Sequence, residues 1–280
     1  MGAITDYNRY VLPKLAAACM RRLFSTRFLV VLRERLSVVI QLDYGPSEIL
    51  LSADSLMELN GRRLSCAKEP ETVRWIETYV KPGDVVYDVG ANVGAYSLVI
   101  DRHTGGRATV YAFEPGVPTF GQLSKNVYLN SCQKRIIPLC VALSNCTELS
   151  AFHYTTLMPG AAGHALGTPV DYRGRAFGAL SEQPVLSYRL DDLIGVFNLK
   201  PPSHIKLDVD GIEWEILQGA DATLRRPELR TIWVEINPKG ERPCQIRDYL
   251  HSCGFRRETL RVQSTTGRHA SNELFVRGDG

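Results

Sequence analysis

The chain has 280 residues, with 33 Lys and Arg against 30 Asp and Glu, so its net charge of +3 gives no signal for a nucleic-acid substrate and its length suits one domain with an extension. Its seven cysteines (Cys19, Cys66, Cys132, Cys140, Cys146, Cys244 and Cys253) include no Cys-x-x-Cys pair. The odd number argues against a disulfide framework or a zinc site and for reduced thiols in a cytoplasmic compartment.

Val11 to Ile40 mixes apolar residues with Arg21, Arg22, Arg27, Arg33 and Arg35. No stretch reaches the roughly 20 apolar residues of a membrane span, and the run Leu15 to Met20 is too short for a signal peptide. The segment predicts one or two basic amphipathic helices. These would dock on the main domain or on a second copy in a homodimer, or make peripheral contact with an anionic membrane. Ser37 to Ser52 alternates about Tyr44-Gly45-Pro46-Ser47 and reads as a hairpin. Residues 1–67 thus form an amino-terminal helical and hairpin extension, and residues 68–280 the main domain. A helix opens the latter near Lys68, with Pro70 in its first turn and Trp75, Ile76, Tyr79 and Val80 on its buried face.

Val85 to Val89 is short, β-branched and without polar alternation, which predicts a buried parallel strand. Asp88 stands near its end. Gly90 and Gly94 follow, with Ala91 and Asn92 in the loop between them. Gly90 allows a sharp turn and close approach of a ligand, and Gly94 allows the next helix to pack tightly. The pattern Asp-x-Gly-x-x-x-Gly is not the dinucleotide fingerprint, because a pyrophosphate seeks bare N–H groups and a positive helix end. An acid there suits a ligand that is positive at that point, and S-adenosylmethionine carries an ammonium and a sulfonium but no phosphate.

A second strand, Ala108 to Phe113, ends in Glu114-Pro115, 26 positions beyond Asp88, about where such folds present a carboxylate to a ribose diol. A helix over Thr119 to Asn130 leads to a third strand, Arg135 to Val141, where Cys140 reads as a buried small hydrophobe. Ala142, just beyond, is small enough to flank an adenine. Residues 147–188 form an insertion, with strands at Phe152 to Tyr154 and Pro184 to Tyr188 and a glycine-rich loop from Pro159 to Gly167. Such loops shape acceptor pockets, and His164 is placed there as a candidate proton acceptor.

The fourth strand, Ser203 to Asp208, ends in a cluster of Lys206, Asp208, Asp210 and Glu213, and Ile212, Ile216 and Leu217 mark an amphipathic helix after it. Thr231 to Ile236 is a fifth strand bearing Glu235. Asp208 is assigned as base or base-orienting group, with Asp210 and Glu235 secondary; these acids would otherwise bind the cofactor's ammonium or hold Mg²⁺. A helix over Gln245 to Ser252 and strands Gly254 to Val262 and Asn272 to Val276, joined by a turn at Thr265-Thr266-Gly267, complete the chain.

The runs Asp88-Val-Gly-Ala-Asn-Val-Gly-Ala-Tyr-Ser97, Ala112-Phe-Glu-Pro115, Leu123 to Asn130 and Ile205 to Ala220, in this order, resemble the FkbM family of S-adenosylmethionine-dependent methyltransferases. That family more often has Glu where this chain has Asp210. The resemblance implies a doubly wound, Rossmann-like class I methyltransferase fold: a mostly parallel seven-stranded sheet with an antiparallel edge strand. It also implies a methyl-transfer enzyme, most simply an O-methyltransferase for a sugar, glycan precursor or other small-molecule acceptor. The alternatives are a nicotinamide-dependent oxidoreductase and a non-catalytic methyltransferase-like binding protein.

Overall fold

The structure, a computed structural model, describes residues 12–171, 173–237, 242–260 and 271–278. The chain divides into two compact units, Met1–Val39 and Ile40–Gly280. In the first, helices α1 (Leu12–Leu23) and α2 (Thr26–Arg35) are separated by Phe24 and Ser25. Ser25 caps α2 by accepting from the Phe28 N–H at 3.3 Å, and the Phe24 and Phe28 rings stack at 4.6 Å. No residue of either helix is buried. Among the described residues no helix is long and apolar enough to cross a membrane.

At the start of the second unit lies the hairpin of β1 (Val39–Gln41) and β2 (Leu50–Ser52). Short helices α3 (Leu56–Asn60) and α4 (Ser65–Lys68), joined by a 3₁₀ turn at Arg62–Leu64, lead to α5 (Pro70–Tyr79). Then strand and helix alternate: β3 (Val85–Val89), α6 (Ala95–His103), β4 (Thr109–Phe113), α7 (Val117–Leu129) and β5 (Ile136–Leu139). Pro118 occupies the first turn of α7, where its missing N–H costs nothing, so the helix starts two residues before Thr119.

The chain next builds a separate sheet from β6 (Ala142–Leu143), β7 (Glu148–Tyr154), β8 (Ala165–Leu166) and β9 (Ser181–Tyr188). The two strands expected within the insertion are its centre: β7 and β9 pair antiparallel, Phe152 opposite Gln183. Helix α8 (Leu190–Phe197), β10 (His204–Leu207), α9 (Glu213–Gln218), α10 (Asp221–Leu224), β11 (Thr231–Ile236), α11 (Pro243–Ser252), β12 (Phe255–Glu258) and β13 (Ser271–Arg277) follow.

The main sheet has seven strands in the order β12-β13-β11-β10-β3-β4-β5. Strands β11, β10, β3, β4 and β5 are parallel neighbours, and β13 runs antiparallel to both β11 and β12. The antiparallel pair β12 and β13 therefore closes one edge of the sheet, as expected, with β13, the strand that runs against the rest, one place in. Two cores sandwich the sheet. Trp75, Ile76, Leu98 and Leu123 belong to the core under α5, α6 and α7, while Leu193, Leu217 and Leu250 belong to the one under α8, α9 and α11.

Strand β2 finds its second partner in a helix. Its Leu50 and Ser52 N–H groups donate to Asn130 Oδ1 and Asn126 Oδ1 at 3.0 and 2.7 Å, and Gln122 Nε2 donates to the Ser52 carbonyl at 2.7 Å. Cys140 is half-buried, not buried, because the chain leaves the main sheet after Leu139. The expected turn at Thr265 to Gly267 lies outside the described residues.

Candidate active site

Chain order reverses between β3 and β10, and the carboxyl ends of these strands frame a cleft, the position where doubly wound sheets place their ligands. Gly90 ends β3 with φ 78°, and a Cβ built on it would lie 1.9 Å from the Asp208 carbonyl oxygen. Only glycine lets the two strand ends come so close. Gly94, at φ 84°, works differently: its Cβ would meet Leu123 of α7 at 2.4 Å, so it serves packing and does not face the cleft.

Glu114, one residue past β4, is 7% exposed. Its Oε2 accepts from the Asn92 N–H at 3.1 Å and its Oε1 from the Gly116 N–H at 2.8 Å, so the carboxylate is fixed before any ligand arrives. Burial pushes its pKa up to about 7 against the opposing pull of these two N–H groups. Glu114 lines the cleft with Gly90, Asn92, Pro115, Ala142, Phe152, His164 and Asp210, around about 650 Å³ of empty space that includes the open mouth.

Asp88 does not line the cleft. It pairs in register with Lys206 across the sheet, accepts from Ser97 Oγ at 2.6 Å, and lies 3.6 Å from Lys206 Nζ. The spacing predicts a cationic ligand for this acid; the cation it meets is a lysine on the neighbouring strand. Lys206 is 2% exposed and also donates to Asp208 Oδ2 at 3.1 Å. Burial alone would discharge its ammonium, but Asp208, Asp88 and Glu69 outweigh burial and raise its pKa.

Beside the cleft is a polar recess that shares Gly90, Asn92 and Asp208 with it and is lined further by Arg62, Lys68, Glu69, Ala91 and Tyr96. The Tyr96 hydroxyl donates to Glu69 Oε2 at 2.9 Å. Nothing in the sequence marked Arg62, Glu69 or Tyr96 as neighbours of the glycine loop. Lys206 was visible, as a charge inside an otherwise apolar strand, but without its partner.

The glycine-rich loop is strapped across the site at four points. Ser55 Oγ donates to the Pro159 carbonyl at 3.0 Å, Arg62 Nε to the Gly160 carbonyl at 2.7 Å, and Asn92 Nδ2 to the Ala161 carbonyl at 2.8 Å. The Gly163 N–H donates to Asp210 Oδ2 at 2.7 Å. Asn92 and Asp210 both adopt positive φ, 50° and 61°, to reach it. Behind the loop His164 packs edge-on against Phe152 and Tyr154, and its Nδ1 accepts from the Thr155 N–H at 3.2 Å. Burial, with the Arg62 charge, lowers its pKa, and the Nδ1 side of the ring is turned to Thr155.

The remaining acids follow β10 or sit on β11. Burial raises the pKa of Asp210, offset in part by the Gly163 N–H. Burial likewise pushes Glu213 up to about 7, and burial with the charges of Asp208, Glu213, Asp210 and Glu69 pushes Glu235 up to about 9. Glu235 lines neither the cleft nor the recess. Among the described residues no three of the His, Cys, Asp and Glu side chains are arranged to hold a metal ion, so the Mg²⁺ alternative finds no ligand set. A groove outside the cleft is lined by Asp171, Gly211, Glu213, Trp214 and Arg242, with about 990 Å³ of space open to solvent.

A Rossmann-like sheet with an inserted antiparallel strand, a glycine turn at the switch point and a fixed acid after the next strand defines the class I methyltransferase architecture. The match to the methyltransferase FkbM domain family covers residues 88–257, more than half of the chain, and the chain belongs to that family. It is 26% identical over 169 residues to hexuronic acid methyltransferase AglP of Haloferax volcanii, covering 60% of this chain and 62% of that one. It is also 26% identical over 195 residues to 31-O-demethyl-FK506 methyltransferase FkbM of Streptomyces tacrolimicus, covering 63% and 74%. The chain thus spans less than two thirds of the length of the first relative. Among solved structures, methyltransferase FkbM from Methylobacillus flagellatus KT superposes with a TM-score of 0.50 at 15% identity, covering 70% of this chain and 44% of that one, a likeness of fold.

Proposed function

We propose that the chain is an S-adenosylmethionine-dependent O-methyltransferase for a hydroxyl of a sugar, glycan precursor or similar small polar metabolite. The observation that carries this reading is Glu114: a buried acid, fixed by two backbone N–H groups, opening onto a cleft at the switch point. Its carboxylate suits a ribose diol, Ala142 and Phe152 offer a small and a flat surface for adenine, and Gly90 keeps the floor free of a side chain. The polar recess pairs cations (Arg62, Lys68) with acids (Glu69, Asp208), a charge pattern that fits a zwitterionic amino-acid end. When bound, S-adenosylmethionine supplies an electrophilic methyl whose carbon–sulfur bond breaks as the acceptor oxygen bonds to it.

In this reading Asp208 orients the acceptor, its own position set by Lys206, and Asp210, whose proton affinity burial raises, takes the hydroxyl proton. The names of the relatives support an oxygen acceptor, one a hexuronic acid and the other a demethylated 31-O position. The test is calorimetric titration with S-adenosylmethionine and S-adenosylhomocysteine, Glu114→Ala serving as control, followed by methyl transfer to uronic acids and neutral sugars. Tight NADH binding with no binding of either sulfur compound would overturn the proposal. An Asp210→Asn variant that kept full turnover would overturn the role given to Asp210.

A further inference from the structure

Helices α1 and α2 carry a surface for which the proposed reaction has no use. In α1, Leu12, Leu15, Ala16, Cys19 and Leu23 recur at helical spacing along one side, with Lys14 and Arg21 on the other. Leu12, Leu15, Leu23, Phe24, Phe28 and Val31 are all between 44% and 76% exposed, and nothing in either helix is buried. Large apolar side chains left open in this number mark a contact surface.

Charge says what the surface contacts. Residues 12–36 hold six cations, Lys14, Arg21, Arg22, Arg27, Arg33 and Arg35, against the single acid Glu34. The segment is therefore at +5 in a chain whose net charge is +3, so the remainder of the chain is net negative. We propose that this helix pair docks on a bilayer surface rich in anionic phospholipid, with its leucines and phenylalanines at the acyl boundary and its arginines among the headgroup phosphates. The 12 residues of α1 and 10 of α2 are too short to span, so the contact is peripheral. A second copy of the chain is the poorer occupant, because it would bring two +5 segments together. Nucleic acid would satisfy the arginines and leave the apolar side uncovered.

The test is co-sedimentation of the full chain with phosphatidylcholine vesicles, with and without phosphatidylserine. Binding is expected only to the anionic vesicles and should fall steeply as salt is raised. Replacing Arg21, Arg22 and Arg27 with Gln should lower the partition coefficient roughly 100-fold, at about fivefold per charge. Phe24→Gln with Phe28→Gln should lower it while leaving S-adenosylmethionine titration unchanged, which separates loss of docking from loss of folding. Three results would each overturn the proposal: no sedimentation with anionic vesicles, equal binding to neutral ones, or a stable dimer by light scattering that the phenylalanine variant dissolves. Binding to heparin that the phenylalanine variant leaves intact would also overturn it, in favour of a polyanion.

Discussion

Replacing Lys206 with Met tests whether the charge network beneath the cleft is a stability element. Methionine matches the length of the stem, so packing in β10 is largely retained and the change is mainly one of charge. The two acids that Lys206 touches then fare differently. The Asp208 side chain is 29% exposed and recovers water, whereas that of Asp88 is 1% exposed and keeps only Ser97 as partner. An uncompensated buried carboxylate costs about 3–5 kcal/mol, a large share of the roughly 5–15 kcal/mol that holds a domain together. Urea denaturation followed by circular dichroism should show that loss at unchanged slope. Adding Asp88→Asn removes the orphaned charge while its amide can still bond Ser97, and should restore all but about 1 kcal/mol, since deleting both partners of a buried pair is close to neutral. A Lys206→Met variant within about 1 kcal/mol of the parent, or a double variant no better than the single one, would mean that Lys206 does not stabilise the buried carboxylate.

Three further outcomes follow from the geometry. The folded-state pKa of Glu114, about 7, lies above its ordinary value of 4.5, so its contribution to stability is complete below 4.5 and lost as pH rises through 7. A ribose prefers the ionised form, so S-adenosylmethionine affinity measured by calorimetry should weaken roughly tenfold from about pH 8 to about pH 6, and Glu114→Gln should flatten that dependence. Gly90→Ala, which would set a methyl 1.9 Å from the Asp208 carbonyl at positive φ, should cost at least ~2 kcal/mol in thermal or urea denaturation. Asn92→Ala removes the strap bond from Nδ2 to the Ala161 carbonyl and the Oδ1 that accepts from the Val93 N–H, while the backbone N–H to Glu114 stays; limited proteolysis should cut faster between residues 159 and 163, and the Kd for S-adenosylmethionine should rise about fivefold, at ~1 kcal/mol for the loosened loop.

Much of this fold could be read from the chain because its central strands are buried on both faces. Val85 to Val89 and Thr231 to Ile236 are apolar runs with glycine, proline or acid punctuation, and both appear where expected. The inserted sheet was harder to read. Leu149 and Leu186 face each other on its outer side, 69% and 53% exposed, so β7 and β9 lack the polar alternation that signals a half-buried strand. The site was legible where local spacing decides, as at Gly90, Asn92 and Glu114. It was illegible where distant segments meet: Arg62 reaches Gly160 across 98 positions, and Lys206 neutralises Asp88 only because β10 happens to lie beside β3. His164 is in the wall as placed, but which of its nitrogens Thr155 addresses is a detail that sequence does not carry.

All four bonds that strap the loop from Pro159 to Gly163 end on its main chain, at three carbonyls and one N–H. The route of this segment is therefore dictated by Ser55, Arg62, Asn92 and Asp210, none of which belongs to it. At Gly160 a side chain is forbidden, since a Cβ would press on Glu58 at 2.8 Å, but around Gly163 space is open. The side chains that the loop carries can therefore change without deleting any donor or acceptor of these four bonds. In this protein the course of the loop and the side chains it displays are set by different residues.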